Sequence, residues 1–183
     1  FPDTFFHIGG DENNGVDWDP NKKIQKFMIK MELKNNRDLQ AFFNSKILSI
    51  LTRNKKRMIG WDEIYNTTLP KSVVIQSWRG KESISSNSKS GFPSILSNGY
   101  YLDKTYTLKD YYENDPLPKG INLNENEKNL ILGGEATIWS EIVDQTTIES
   151  RIWPSTLAIA ERLWSTPENC NTENFYKKAP FVS

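Results

Sequence analysis

The stretch Thr4-Phe5-Phe6-His7-Ile8-Gly9-Gly10-Asp11-Glu12 decides the fold, because an apolar run ends there in two glycines and two adjacent carboxylates. Residues 4–9 are short and nearly continuously apolar, as expected of a strand in a parallel sheet that helices cover. The two glycines allow the backbone to bend sharply and to approach a ligand closely. The pattern therefore predicts a buried strand that delivers Asp11 and Glu12 to the end of a sheet.

Four further segments share this apolar character, and each is followed by polar or helical sequence. The fourth of the five segments is weaker, because Ser97, Asn98 and Gly99 interrupt it. The predicted strands cover residues 4–9, 58–61, 73–78, 94–102 and 130–139.

Helical periodicity separates the first two strands. Asn36 is predicted to be an N-cap, and apolar residues recur behind it at helical spacing up to Leu51. A shorter helix is predicted at residues 24–31, and Pro154 suits the first turn of a helix that runs to about Trp164. Residues 80–92 and 113–127 are predicted to be loops.

Repeated strand–helix units predict a parallel α/β fold. Residues capable of chemistry cluster where the strands end, which is the distribution of a (β/α)8 barrel with its site at the carboxyl ends. Such barrels need roughly 250 residues and eight strands. We therefore expect a partial (β/α)8 barrel of about the last five strand–helix units, with about three N-terminal strands missing. The clustered residues are Asp11, Glu12, Trp61, Asp62, Glu63, Trp78, Arg79, Tyr101, Asp103, Trp139 and Glu141.

Composition and charge weigh against several classes of function. Lys plus Arg and Asp plus Glu both number 23, so no basic excess favours binding to nucleic acid. No apolar run reaches the roughly 18–20 residues of a membrane span. Cys170 is the only cysteine, and no His or third acid lies at a ligand-like spacing from Asp62 and Glu63. We predict no metal and no cofactor, and oligomer formation is left open.

Asp11 and Glu12 have two interpretations. Acidic residues after a strand are common at the start of a helix. Glycoside hydrolysis is the alternative, since it needs a protonated acid beside the leaving oxygen and a group that stabilises an oxocarbenium-like transition state. Ordinary retaining enzymes take two carboxylates from separate positions roughly 5 Å apart. Two adjacent carboxylates leave one free to orient something other than a protein nucleophile.

The complete motif at residues 7–12 resembles the signature of the glycoside hydrolase family 20 β-N-acetylhexosaminidases. The resemblance extends from residue 1 to about residue 176, which we interpret as the C-terminal portion of the catalytic barrel, and a tail at residues 177–183 departs from the family's pattern. Six later segments are similar in the same order: Gly60-Trp61-Asp62-Glu63-Ile64, Gln76-Ser77-Trp78-Arg79-Gly80, Tyr101-Leu102-Asp103, Gly133-Gly134-Glu135-Ala136, Trp139-Ser140-Glu141 and Glu161-Arg162-Leu163-Trp164-Ser165.

The resemblance implies an exo-acting, retaining enzyme in which the substrate's own 2-acetamido group attacks the anomeric carbon and forms an oxazolinium intermediate. Glu12 then matches the general acid/base, Asp11 the residue that holds the acetamido N–H, and Tyr101 the hydroxyl that binds the acetamido oxygen. Its substrate would be the terminal N-acetylhexosamine of chitooligosaccharides or glycans. The resemblance also implies substrate-binding roles for Trp61, Trp78 and Trp139 as aromatic walls and for Asp103 and Glu141 as acceptors for sugar hydroxyls.

The family also uses an arginine, an aspartate and a histidine from early strands, which residues 1–183 do not supply, so we expect the isolated chain to be weakly active or inactive. The family's usual compartments imply an extracytoplasmic location, whether periplasmic, secreted or lysosomal. Two alternatives stay open: a retaining glycosidase with Glu141 or Glu63 as protein nucleophile, and a non-catalytic carbohydrate-binding barrel relative. His7, the only histidine, is predicted to be structural because it lies inside the first strand.

Overall fold

The computed structural model describes residues 1–178, and the part of the predicted tail beyond Lys178 lies outside the described residues. Five parallel strands form one sheet in sequential order, with a helix or helical turn between neighbouring strands. The parallel α/β prediction is thereby confirmed. The strands are β1 (Phe5–His7), β2 (Arg57–Trp61), β3 (Val74–Ser77), β4 (Ser94–Leu96) and β5 (Ile131–Gly134).

Each strand begins close to its predicted position, but β4 and β5 end earlier than expected. β4 stops at Leu96 because the chain turns there, with Gly99 at a φ of +81° that favours glycine. Beyond the turn, Tyr101 lies beside Thr137 in an isolated parallel bridge. The chain therefore continues past both strands toward the carboxyl end of the sheet, where it carries side chains needed for a site.

The helices are α1 (Lys22–Lys30), α2 (Asn36–Arg53), α3 (Lys81–Lys89), α4 (Leu108–Glu113), α5 (Glu125–Lys128), α6 (Ile148–Ile152), α7 (Ser155–Trp164) and α8 (Thr172–Lys178), with a 3₁₀ turn at Asp62–Ile64. The prediction of Asn36 as N-cap is wrong by one residue. The side chain of Asn35 accepts the hydrogen bond from the Asp38 backbone N–H, and Asn36 is the first helical residue. The predicted loop at residues 80–92 is also wrong, because α3 occupies most of it.

Two apolar clusters fill the space between sheet and helices. One packs Met58 and Ile75 of the sheet against Leu51 of α2. The other surrounds Leu96 with residues of α4, α7 and α8, where Tyr112 stacks on Phe175 at 4.8 Å between ring centroids. The helices therefore fix the strands from outside, and the carboxyl ends of all five strands share one face. Among the described residues, no helix is both long and apolar enough to cross a membrane.

Candidate active site

A cavity of about 850 Å³ lies at the carboxyl ends of the strands and receives side chains from β2 and from the segments after the other four strands. All eight residues predicted for the site line it. They are Asp11, Glu12, Trp61, Trp78, Tyr101, Asp103, Trp139 and Glu141.

The turn after β1 is held by three hydrogen bonds. The backbone N–H of Gly9 donates to Nδ1 of His7 at 3.0 Å, and the carbonyl of Gly9 accepts from the Trp61 N–H at 3.0 Å. The Gln40 side chain donates to the carbonyl of Gly10 at 2.6 Å. Both glycines have positive φ, +71° and +101°, which a side chain would strain. The glycines are therefore required by the geometry of the turn that presents the two acids.

Glu12 itself has a φ of +50°, in the left-handed region that residues other than glycine rarely adopt. Such a conformation costs on the order of 1–3 kcal/mol and persists where surrounding contacts impose it, often at functional sites. Asp11 and Glu12 are both exposed to the cavity and to solvent. The turn therefore separates two sequence neighbours and delivers both carboxylates to one cavity.

Three aromatic rings form a continuous wall. Trp139 lies between Trp61 and Tyr101, with ring centroids 6.0 Å and 6.3 Å away. The edge of His7 contacts Trp61 at 5.1 Å between centroids, outside the lining of the cavity. Such a surface offers large apolar faces that suit the carbon face of a sugar ring.

Trp78 is fixed by the two acids that follow β2. Its backbone N–H donates to Oδ2 of the buried Asp62 at 2.9 Å, and its indole Nε1–H donates to Oε2 of Glu63 at 3.1 Å. Arg79 donates from Nε and Nη2 to Oε1 of Glu63, at 3.1 Å and 2.6 Å. Burial alone would raise the pKa of Glu63, but the hydrogen bonds from Trp78 and Arg79 outweigh it and lower the pKa. Trp78 is therefore held in place through both its backbone N–H and its indole N–H.

The Tyr101 hydroxyl stays protonated and can donate a hydrogen bond into the cavity. Burial raises the pKa of Tyr101 to about 12, and the negative charges of Asp103 and Asp11 act in the same direction. The Tyr111 hydroxyl donates to the Tyr101 carbonyl at 2.8 Å and so fixes the backbone. The hydroxyl therefore keeps its proton at any physiological pH, and it lies within the electrostatic influence of Asp11.

Asp103 is a buried carboxylate with one oxygen unpartnered within the described part of the chain. It is 3% exposed, and its Oδ1 has no hydrogen-bond partner among the described residues. Its other oxygen lies 3.9 Å from the Lys104 ammonium. A buried polar atom without a partner is rare, and this one belongs to a residue that lines the cavity.

Several residues that line the cavity had no role assigned to them from the sequence. Arg79, Asn98, Lys104, Tyr106 and Ile142 also line the cavity. Arg79 was recognised only as a polar residue at a strand end, directly after Trp78, and no local sequence signal indicated that Asp62 and Glu63 hold Trp78 in place. Among residues 1–178, no group of three His, Cys, Asp or Glu side chains is placed to hold a metal ion.

The comparisons with known proteins agree on one family. The model of the glycosyl hydrolase family 20 catalytic domain matches residues 1–167. The β subunit of β-hexosaminidase from Rattus norvegicus is 39% identical over 97% of this chain, and the human β subunit is 35% identical. The chain spans about a third of the length of these curated relatives, 34% and 33%.

Two solved structures are similar over the whole chain. The chitobiase of Flavobacterium johnsoniae is 45% identical with a TM-score of 0.93, and this chain covers 29% of it. The family 20 exo-β-N-acetylglucosaminidase of Vibrio harveyi, solved with N-acetylglucosamine, is 25% identical with a TM-score of 0.88, and 32% of it is covered. These neighbours are (β/α)8-barrel domains of which this chain covers a part, so the predicted partial-barrel fold is confirmed. With a family model that spans 167 of its 183 residues and relatives this similar, the chain belongs to glycosyl hydrolase family 20.

Proposed function

We propose that the protein carrying this chain is an exo-acting β-N-acetylhexosaminidase that removes terminal N-acetylglucosamine or N-acetylgalactosamine with retention. The observation that carries this proposal is one cavity in which a strained turn presents Asp11 and Glu12 beside the Tyr101 hydroxyl and an aromatic wall. Asp11 and Glu12 are adjacent, and the Tyr101 hydroxyl can donate a hydrogen bond. This set fits a reaction in which the nucleophile is the substrate's own acetamido group, because no second, separate carboxylate is needed to attack the sugar.

The reaction begins when the substrate's acetamido oxygen attacks the anomeric carbon and the bond to the leaving oxygen breaks. Glu12 donates its proton to that oxygen and later takes a proton from the water that opens the oxazolinium intermediate. Asp11 accepts a hydrogen bond from the acetamido N–H and stabilises the positive charge that develops. The Tyr101 hydroxyl donates to the acetamido oxygen and holds it for an intramolecular attack, which has a high effective molarity.

The remaining side chains bind the terminal sugar. Trp61, Trp78 and Trp139 enclose the acetamido methyl and the sugar ring. Asp103 and Glu141 both line the cavity, and each accepts a hydrogen bond from a sugar hydroxyl. Acceptors that bind the hydroxyls of a terminal sugar favour binding of the end of a saccharide chain over its interior, as exo action requires.

A protein nucleophile is the competing mechanism, and the geometry weighs against one of its two candidates. Both oxygens of Glu63 are engaged by Trp78 and Arg79, and Glu63 is not among the residues that line the cavity. Glu141 lines the cavity and is the candidate that an experiment must test. A non-catalytic role is disfavoured because binding alone has no use for a general acid at Glu12.

The proposal is tested by replacing Glu12 with Gln in the full-length protein. We expect kcat on an aryl N-acetyl-β-glucosaminide to fall at least about a hundredfold, the contribution typical of a general acid, while N-acetylglucosamine still binds. Glu32→Gln is the matched control, since Glu32 also has a positive φ, +56°, but lies outside the cavity. Unchanged turnover in Glu12→Gln would refute the assignment.

We also propose an extracytoplasmic location, on the family resemblance alone, which fractionation of the source cells would test. We further propose that residues 1–183 by themselves are weakly active or inactive. Within the described residues, β1 and β5 are the two edges of an open sheet, and the cavity wall between them has no strand.

A further inference from the structure

The turn after β4, residues 97–100, is hydrogen-bonded to the end of β3. The backbone N–H groups of Ser97 and Asn98 both donate to the Ser77 carbonyl, at 2.8 Å and 3.2 Å. The Asn98 side chain adds a further bond, from Nδ2 to the Trp78 carbonyl at 2.9 Å. A carbonyl oxygen can only accept, so the amide nitrogen of Asn98 faces Trp78. Asn98 therefore joins the segments that follow β3 and β4 at the lining of the cavity.

Asn98 is itself held from behind by Asn114, the residue at the C-terminal end of α4. Asn114 is buried, and its Nδ2 donates to the Asn98 carbonyl at 2.9 Å. The Asn114 carbonyl in turn accepts a hydrogen bond from the Tyr100 hydroxyl. Gly99 leaves room for this packing, because a Cβ at that position would lie 2.5 Å from the Asn114 amide nitrogen. The backbone of the turn is therefore fixed before the chain reaches Tyr101.

Trp78 and Tyr101 reach the cavity from two different strands, and Asn98 connects them. The bonds to Asp62 and Glu63 hold Trp78 against the segment after β2. They do not fix its position relative to the Tyr101 side of the cavity. The bond from Asn98 does so, because Asn98 lies three residues before Tyr101 in a turn that is itself held. The separation of the Trp78 and Tyr101 side chains therefore depends on Asn98.

We propose that Asn98 is a positioning residue that sets the width of the pocket for the acetamido group, through its hydrogen bond to the Trp78 carbonyl. The inference rests on the proposed function, in which Trp78 helps to enclose the acetamido methyl and Tyr101 donates to the acetamido oxygen. A pocket of fixed width accepts an acetyl group and disfavours a longer acyl group, since one methylene in an apolar pocket changes kcat/KM by at least about tenfold. Asn98 therefore acts on the choice of N-acyl group through Trp78.

The test uses the full-length protein with two p-nitrophenyl β-glucosaminides that differ only in the N-acyl group, acetyl or propionyl. The quantity measured is the ratio of kcat/KM for the N-acetyl substrate to kcat/KM for the N-propionyl substrate. In Asn98→Ala we expect this ratio to fall about tenfold, the effect of one hydrogen bond. Asn54→Ala is the matched control and keeps the wild-type ratio. The Asn54 Nδ2 also donates to a backbone carbonyl, that of Ile50 at 2.8 Å, but it lies at the end of α2 and outside the cavity.

A second variant, Asn98→Asp, separates positioning from direct contact with the substrate. Aspartate has nearly the shape of asparagine and keeps an acceptor oxygen, but it has no N–H to donate to the Trp78 carbonyl. Its negative charge acts on both substrates alike and cancels in the ratio. We therefore expect Asn98→Asp to lower the ratio as Asn98→Ala does, with urea unfolding showing that both variants are folded.

The outcomes distinguish this inference from the proposed function. A ratio that is unchanged in Asn98→Ala or preserved in Asn98→Asp overturns the inference while leaving the hexosaminidase assignment intact. A wild-type protein that hydrolyses both substrates equally well also overturns it, because there is then no selectivity for Asn98 to set. Failure of the wild-type protein to hydrolyse the N-acetyl substrate refutes the proposed function itself.

Discussion

At the scale of single residues, His7 shows how a side chain outside the cavity sets the position of the acids inside it. Its Nδ1 accepts a hydrogen bond from the Gly9 N–H, and its ring packs against Trp61 in an edge-to-face arrangement. An imidazolium has no acceptor at Nδ1, so this contact requires the neutral ring. Burial lowers the pKa of His7 from 6.5, although the negative charges of Glu135 and Asp11 oppose the shift. The contact is therefore intact at neutral pH.

The lowered pKa of His7 predicts that the stability of the fold depends on pH. A histidine whose folded pKa is lowered contributes stability that is fully present above its unfolded pKa of 6.5 and is lost as the pH falls through the folded value. We therefore expect the stability of the wild type, relative to His7→Gln, to decline as the pH falls below about 6.5. Urea unfolding of the full-length protein at several pH values measures it. A difference that stays constant with pH would show that His7 does not titrate in this way.

At the scale of elements, the connection from β3 to α3 depends on one buried carboxylate. Asp62 accepts hydrogen bonds from the N–H groups of Trp78 and Arg79 and from the side chains of Ser83 and Asn87. The first two fix the start of the loop, and the last two fix the first two turns of the helix. Hydrogen bonds to Asp62 therefore hold both the start of this loop and the first turns of α3, and Trp78 lies between them.

Removal of this carboxylate is expected to be costly. Asp62→Ala leaves one buried and three partly buried donors without an acceptor. We expect the free energy of unfolding to fall by about 3 kcal/mol, and KM to rise because Trp78 is held less firmly. Denaturant unfolding and steady-state kinetics measure the two effects. Glu82→Ala, at an exposed acid in the first turn of α3, is the control and should change stability by less than about 0.5 kcal/mol. Equal losses in both variants would contradict the role given to Asp62.

The elements that were predicted wrongly are those that tertiary contacts stabilise. Residues 81–89 read Lys-Glu-Ser-Ile-Ser-Ser-Asn-Ser-Lys, and serine and asparagine compete with the helical backbone for hydrogen bonds. Their helix depends on Ile84, which is fully buried against the sheet, and on the bonds to Asp62. Local propensity contains neither contact, so the sequence indicated a loop. The strands β1 to β3, whose apolar runs are nearly continuous, were predicted to within two residues.

At the scale of the whole molecule, the placement of the site followed from topology. Parallel strands end on one face, so residues at five strand ends had to converge, and all eight predicted residues line one cavity. What topology could not supply is the hydrogen bonding that orients them. The hydrogen bond from the Trp78 indole to Glu63 joins residues that follow two different strands, and no local sequence pattern marks such a pair.

The open sheet predicts low activity for residues 1–183 alone. Leu132 on the edge strand β5 is 55% exposed, so the open edge of the sheet leaves apolar surface in contact with solvent. We expect kcat/KM of the isolated chain on an aryl N-acetyl-β-glucosaminide to be at most about a hundredth of the value for the full-length protein, since loss of binding groups costs transition-state stabilisation. Comparable turnover by the two proteins would contradict this expectation.

The central claim is that the acetamido group of the substrate, guided by Asp11 and Tyr101, is the nucleophile. Inhibition of the full-length protein by the thiazoline analogue of N-acetylglucosamine, a stable mimic of the oxazolinium intermediate, tests it most directly. The account predicts competitive inhibition with an inhibition constant at least about a hundredfold below KM, as for analogues of high-energy species. No inhibition by the thiazoline, together with a covalent glycosyl adduct on Glu141, would contradict it.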